Sequence, residues 1–164
     1  MAARKPENTF IAAVNRLLPD VYHEKMNNPY RSGTPDVWYS GSKADLWVEY
    51  KYVLKLPVNA PLRVRADLLS EQQVLWLARR FVENRHVIVV VGCPEGCLVL
   101  SGPHEWERND VHAEEFRRRM IPRAELAGFI RKHTTGISSC PSPSESSPRQ
   151  QSPVRRIVSS SRRS

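Results

Sequence analysis

Asp36, Glu49 and Lys51 are the residues whose types and spacing invite chemistry. They lie in one stretch, GTPDVWYSGSKADLWVEYK (residues 33–51), where charged side chains interrupt apolar, strand-like sequence. A strand core does not tolerate unpaired charge, so their placement needs a cause. Side chains alternate between the two faces of a strand. In residues 45–53, Asp45, Trp47, Glu49, Lys51 and Val53 therefore share one face, and Leu46, Val48, Tyr50 and Tyr52 share the other. Residues 36–39 read as a preceding strand. The turn Ser40-Gly41-Ser42-Lys43 then predicts an antiparallel hairpin that carries Asp36 back toward Glu49. Two carboxylates converging with a lysine suit Mg²⁺, which takes one or two carboxylates plus water and substrate phosphate. Such an ion polarises a phosphate oxygen and acidifies a water, while a lysine beside it offsets developing negative charge. The backbone carbonyl of Tyr50, between the two side chains, is a natural further ligand. All of this depends on register, because a slip of one residue turns Asp36 to the other face. The plain alternative is a Glu-Lys pair on a solvated strand face.

Other elements must position these residues. A helix is expected over 6–18: Pro6 suits its first turn, and Phe10, Ile11, Val14, Leu17 and Leu18 make one apolar face. Glu7 in that first turn complements the helix dipole. Residues 21–26 read as a short strand, followed by a polar turn region over 27–33. Residues 54–67, with Pro57 and Pro61, read as a loop that is basic on balance. Its Lys55, Arg63 and Arg65 are candidates for contact with a phosphate backbone, or for plain solvation.

Residues 70–83 carry the clearest helical signal. Ser70 and Gln73 fit a capping box. Val74, Leu77, Ala78 and Phe81 share a face that Leu75 and Val82 widen. Gln73, Trp76 and Arg80 fall on a stripe beside it. Trp76 there either stacks on nucleic acid or packs on another element, and Arg80 is a further candidate contact. The run Val87-Ile88-Val89-Val90-Val91 within residues 86–92 predicts a strand buried on both faces, with helices on both sides of its sheet. Residues 97–100 are its expected hairpin partner. Residues 111–120 and 123–133 read as one or two short helices separated at Pro122.

The ordered array Pro35-Asp36, Glu49-Tyr50-Lys51 resembles the PD-(D/E)XK nuclease superfamily. Ser70-x-x-Gln73-x-x-Trp76-Leu77 resembles the helix motif of its VRR-NUC and Holliday-junction-resolvase-like members, small phage nucleases among them. The resemblance spans residues 7–92. It implies an α/β, restriction-endonuclease-like core, a mixed sheet of about four to five strands flanked by helices. It further implies a Mg²⁺-dependent deoxyribonuclease, with Mn²⁺ as a substitute, acting on branched or structured DNA. Carried over by position, Asp36 and Glu49 would bind the metal and Lys51 would be the catalytic lysine. Gln73 would be the glutamine that follows on the helix, and Glu7 the acidic residue of the first helix. By analogy with symmetric junction resolvases, a homodimer would cut two strands. Two points stand apart from the pattern. The strand HVIVVVG (residues 86–92) lacks the Val-Arg-Arg that names the VRR-NUC subgroup, and a capping box would want Gln73 without any catalytic reason.

The whole chain has 164 residues, a formal net charge of +8 and a pI near 9.8, a balance that favours a polyanionic partner, nucleic acid before anionic membrane. No stretch approaches the ~20 apolar residues of a membrane span, and MAARKPENTF lacks the apolar core of a signal peptide. A cytoplasmic, reducing location is the expectation. Cys93, Cys97 and Cys140 do not make a disulfide framework. A Cys-x3-Cys pair is a poor zinc site unless His86 or His104 completes it; the other reading is a hairpin turn ending in two small side chains. Residues 1–133 are expected to be the nuclease-like domain. Residues 134–164 hold 11 Ser, 4 Pro and five Arg against one Glu, and read as a disordered basic tail. Two other function classes compete with the nuclease. One is a nucleic-acid-binding module that has kept the fold and lost cleavage, against which the intact Asp36, Glu49 and Lys51 argue. The other is a scaffold that binds protein partners through its tail.

Overall fold

The strand and helix periods resolve into one five-stranded sheet with helices on both faces. The computed structural model describes residues 5–26 and 33–138. Most of the expected turn over 27–33 and nearly all of the expected tail, Cys140 included, lie outside those residues.

Helix α1 (Pro6–Asn15) buries Phe10, Ile11 and Val14. It stops short of the expected end at residue 18. Leu18 is still fully buried, in the turn that follows, whereas Leu17 points outward and does not belong to the apolar face. Strands β1 (Tyr22–Lys25), β2 (Val37–Ser40) and β3 (Asp45–Tyr52) form an antiparallel meander. Residues 54–67 are not simply a solvated loop. Leu62 bridges to Val111, and Val64–Leu68 closes a single π-helical turn around a fully buried Val64.

Helix α2 (Glu71–Val82) then crosses over to β4 (Val87–Gly92), which pairs parallel to β3, and β5 (Cys97–Leu100) returns antiparallel. The spatial order is β1-β2-β3-β4-β5. Every residue of β4 is buried, as a run without alternation requires when both sheet faces are covered. Of the apolar face expected for α2, Val74 and Leu77 are buried, while Leu75 and Val82 are exposed and do not widen it. Phe81 is half-exposed but meets the fully buried Trp106 edge-on.

The chain closes with α3 (Pro103–Trp106), a single turn absent from the sequence reading, then α4 (Ala113–Arg119) and α5 (Arg123–Thr135). Helix α5 continues past the expected domain boundary. Thr134 is fully buried, and its carbonyl accepts the N–H groups of Lys43 and Ala44. Gly136 ends the helix in the left-handed conformation, φ 79°, that glycine adopts without cost.

The two sheet faces build two cores. On one, Leu46, Val48, Tyr50, Ile88 and Val90 pack with Phe10 and Val14 of α1 and with Leu126 and Ile130 of α5. On the other, Val87, Val89 and Val91 pack with Leu77 of α2 and with Trp106 and Phe116 of the later helices. Cys93 and Cys97 are free, buried thiols at the β4–β5 turn, which the Cys93 N–H closes onto the Gly96 carbonyl. Neither His86 nor His104 joins them in a group of three or more possible metal ligands among the described residues.

Candidate active site

The register of the β2–β3 hairpin decides the site. Val37 pairs with Val48, so one step further Asp36 stands opposite Glu49 and on the same face. The Asp36 carboxylate receives the Tyr50 N–H at 2.8 Å, taking the place of a ladder partner where β2 has not yet begun. The N–H groups of Trp47 and Val53 reach the β4 side, to His86 and Gly92. Alternation therefore sends both the N–H and the C=O of Tyr50 to the β2 side, where Asp36 sits. The carbonyl expected as a ligand opens on that edge.

Glu49 is 1% exposed in the middle of β3. Its Oε1 is 2.7 Å from Lys51 Nζ and also accepts a hydrogen bond from Gln73 Nε2. Its Oε2 is buried with no partner among the described residues. Burial, reinforced by the nearby Asp36 carboxylate, pushes Glu49 up to about 8. Burial also raises Asp36, against the opposing pull of the Tyr50 N–H. Glu7, from the first turn of α1, is raised by burial and then by Asp36, which places it within the field of the same cluster.

Gln73 takes part in the helix cap and also touches Glu49. Ser70 caps α2 by accepting the Gln73 N–H at 3.3 Å, and the Gln73 side-chain oxygen accepts the Ser70 N–H at 2.9 Å. Because the cap uses the amide oxygen, the amide nitrogen is left to donate to Glu49. Gly33 allows α2 to come this close to the strand lead. Its φ is +88°, and a Cβ there would lie 2.4 Å from the Gln72 carbonyl oxygen.

A second tier lies one step along. Trp38 pairs with Trp47 across β2 and β3, their rings stacked with centroids 5.8 Å apart. Trp76, one turn after Gln73 on α2, packs on Trp47 at 5.4 Å. Arg80 lies over the Trp76 ring at 5.6 Å and is ion-paired with Glu83. Trp38 and Trp47 were absent from the candidate residues. Alternation alone places Trp38 with Asp36 and Trp47 with Glu49, so the signal was present once the pairing is known.

Arg63 is paired with Asp67 and Arg65 with Glu71, both beside the π-helical turn, while Lys55 is an exposed residue of the preceding loop. Among the described residues no three His, Cys, Asp or Glu side chains form a preformed metal centre. The donor set nevertheless fits a hard divalent cation. It offers two carboxylates, one with a buried and unpartnered oxygen, and a main-chain carbonyl at the same edge. Asp36, Glu49 and the Tyr50 carbonyl would hold such an ion.

No family model and no curated protein matches this sequence. Among solved structures, the chain is similar to Hjc of Archaeoglobus fulgidus, a Holliday junction resolvase from an archaeal hyperthermophile. The two are 14% identical with a TM-score of 0.49, over 77% of this chain and 99% of that one. A likeness of that size carries no argument about activity.

Proposed function

We propose that this chain is a Mg²⁺-dependent endonuclease that hydrolyses phosphodiester bonds in branched or structured DNA. The observation that carries the proposal is the state of Glu49. One oxygen is held by Lys51 and Gln73, and the other is buried without a partner. A buried polar atom left unsatisfied costs about 1–3 kcal/mol, more when charged, which an incoming cation offsets. When bound, a divalent ion supplies Lewis-acid polarisation of a phosphoryl oxygen and a more acidic water.

The protein's own groups do the rest. Burial favours the protonated form of Glu49 in the bare site, and the residue would release that proton to solvent on holding a cation. Gln73 fixes the carboxylate plane by holding Oε1. Lys51, 17% exposed, anchors on Glu49 yet reaches the solvent edge, a position from which it offsets charge developing on a phosphate. Two such sites in a symmetric dimer would cut two strands.

The second reading is a binding module that holds nucleic acid without cutting it. What favours it is that the described carboxylates do not form a three-ligand centre of their own. One experiment separates the two: incubation with linear, single-stranded, flapped and four-way DNA, with Mg²⁺ or with EDTA. The nuclease reading expects cleavage that needs metal and falls by about 10²–10³ in folded Glu49→Ala and Lys51→Ala variants. Unchanged cutting by both variants removes the assignment. Binding without any cutting leaves the module.

A further inference from the structure

In the tier of tryptophans beside the carboxylates, Trp47 and Trp76 pack against the second core and still keep part of their rings exposed. Trp38, Trp47 and Trp76 are all only partly buried, in contrast to Trp106, which is fully enclosed. Trp47 and Trp76 border a cavity of about 630 Å³ whose lining also includes Thr34, Arg80, Asn84 and Arg85. That volume is within the range of sites for small organic ligands.

The cavity is in phase with the carboxylate site. Trp47 precedes Glu49 by two residues and Trp76 follows Gln73 by three. These two displacements run the same way. Gln73 meets Glu49 while Trp76 meets Trp47, so α2 runs opposite to β3. Two strand residues span about 7 Å and one helical turn about 5 Å. This tryptophan shelf therefore lies one short step from Glu49, with Lys51 a further step beyond, a spacing comparable to the phosphate-to-phosphate step of an extended nucleic-acid strand.

The lining chemistry selects a nucleobase. Flat indole faces accept the π-face of any base. Arg80, over Trp76, adds a cation beside the stacking surface. Asn84, held at φ 57°, brings an amide capable of pairing with a base edge. Arg85 forms no ion pair among the described residues and is available to a phosphate. A base inside duplex DNA cannot enter such a pocket without leaving its stack.

We propose that this cavity receives an unpaired nucleobase next to the phosphate held at Glu49 and Lys51, so that the protein selects substrates with a single-stranded nucleotide beside the cleavage point. The proposal rests on the reading of that site as one acting on nucleic acid.

The test measures binding in EDTA, so that cleavage plays no part. The full chain is titrated with three DNA probes: a blunt duplex, the same duplex with a short single-stranded flap, and that flap made abasic throughout. The abasic flap keeps every phosphate and removes only the stacking partners. The base-bearing flap is expected to bind about tenfold more tightly than the abasic one, with quenching of tryptophan fluorescence. Trp76→Ala should abolish that difference and Trp76→Phe should retain most of it. Equal affinity of the wild-type chain for base-bearing and abasic flaps overturns the proposal, a comparison that needs no variant to fold. Base-dependent binding by a chain that never cuts would keep this inference and remove the nuclease reading. Cutting without base preference would do the reverse.

Discussion

Gln73 and Glu49 are joined by a hydrogen bond that the helix cap itself orients. Ser70 claims the amide oxygen of Gln73, and this turns the amide nitrogen toward the Glu49 carboxylate. A motif that looks like local helix chemistry thereby fixes a side chain on a strand. The same residue satisfies a helix end and presents one carboxylate oxygen for use.

Cap and site functions should separate by mutation. Ser70→Ala removes the hydroxyl that accepts the Gln73 N–H but leaves the Ser70 N–H to hold the amide. It is expected to cost about 1 kcal/mol of stability and to keep most of the cleavage rate. Gln73→Ala should cost about as much stability and lower cleavage by a factor of roughly ten or more, since Glu49 loses its orienting donor. Chemical denaturation paired with rates on a cleavable junction measures both. Equal losses of rate in the two variants would show that Gln73 acts only as a cap.

Glu49 should leave a signature in the pH dependence of stability. Its folded pKa, about 8, lies above that of the unfolded chain, so between roughly pH 4.5 and 8 the folded state binds the extra proton. Stability from this group is complete below the unfolded value and is lost as pH rises through the folded one. In EDTA the wild-type chain is expected to lose stability over that window, at up to about 1.4 kcal/mol per pH unit from this residue. Glu49→Gln should remove the slope and be relatively more stable at pH 8. Parallel curves for the two proteins would contradict a raised Glu49.

The end of the folded domain can be located by truncation. Removal of everything after Ser138 should leave the melting temperature unchanged and reduce the salt dependence of DNA binding, because five arginines depart. Removal of everything after His133 should destabilise the fold by about 2 kcal/mol or more, since the Lys43 and Ala44 N–H groups lose the Thr134 carbonyl. Equal melting temperatures for the two truncations would place the boundary back at residue 133.

The contrast between those truncations shows what sequence can and cannot convey. The strand faces of β3, the hairpin, the capping box and the doubly buried β4 all follow from short-range period and turn chemistry, and the structure has each of them. Thr134 looked like the start of a polar tail because its neighbours are polar, yet its burial depends on a turn 90 residues earlier in the chain. Leu75 and Val82 looked like core because helical periodicity registers hydrophobicity, not whether an opposing surface exists. Trp38 and Trp47 are each an ordinary strand residue alone. Only the pairing of two strands and the approach of α2 make them one surface. The loop arginines Arg63 and Arg65 were candidates by charge, and their acidic partners are visible only in space.

Gly33 offers a test of how closely the strand lead and α2 must approach. Gly33→Ala introduces a Cβ against the Gln72 carbonyl in a backbone conformation that disfavours it. It is expected to cost about 2–3 kcal/mol. Cleavage should fall further than stability alone explains, because Thr34, Pro35 and Asp36 must move to relieve the contact. A variant that melts lower but cuts at the wild-type rate under folded conditions would show that Asp36 does not need this approach.

The β2–β3 pairing also separates two kinds of sequence information. Both cores depend only on parity, that is, on which residues face up and which face down. A shift of two residues would preserve parity, keep Val37 and Val48 inward, and leave a foldable sheet. It would also bring Asp36 opposite Trp47 if the slip ran one way, or opposite Lys51 if it ran the other, and in neither case opposite Glu49. The architecture is thus indifferent to a change that dismantles the carboxylate pair. Whatever pins the absolute phase of the hairpin, including the Ser40 hydroxyl bound to Asp45 at 2.6 Å beside the turn, protects the site and not the fold.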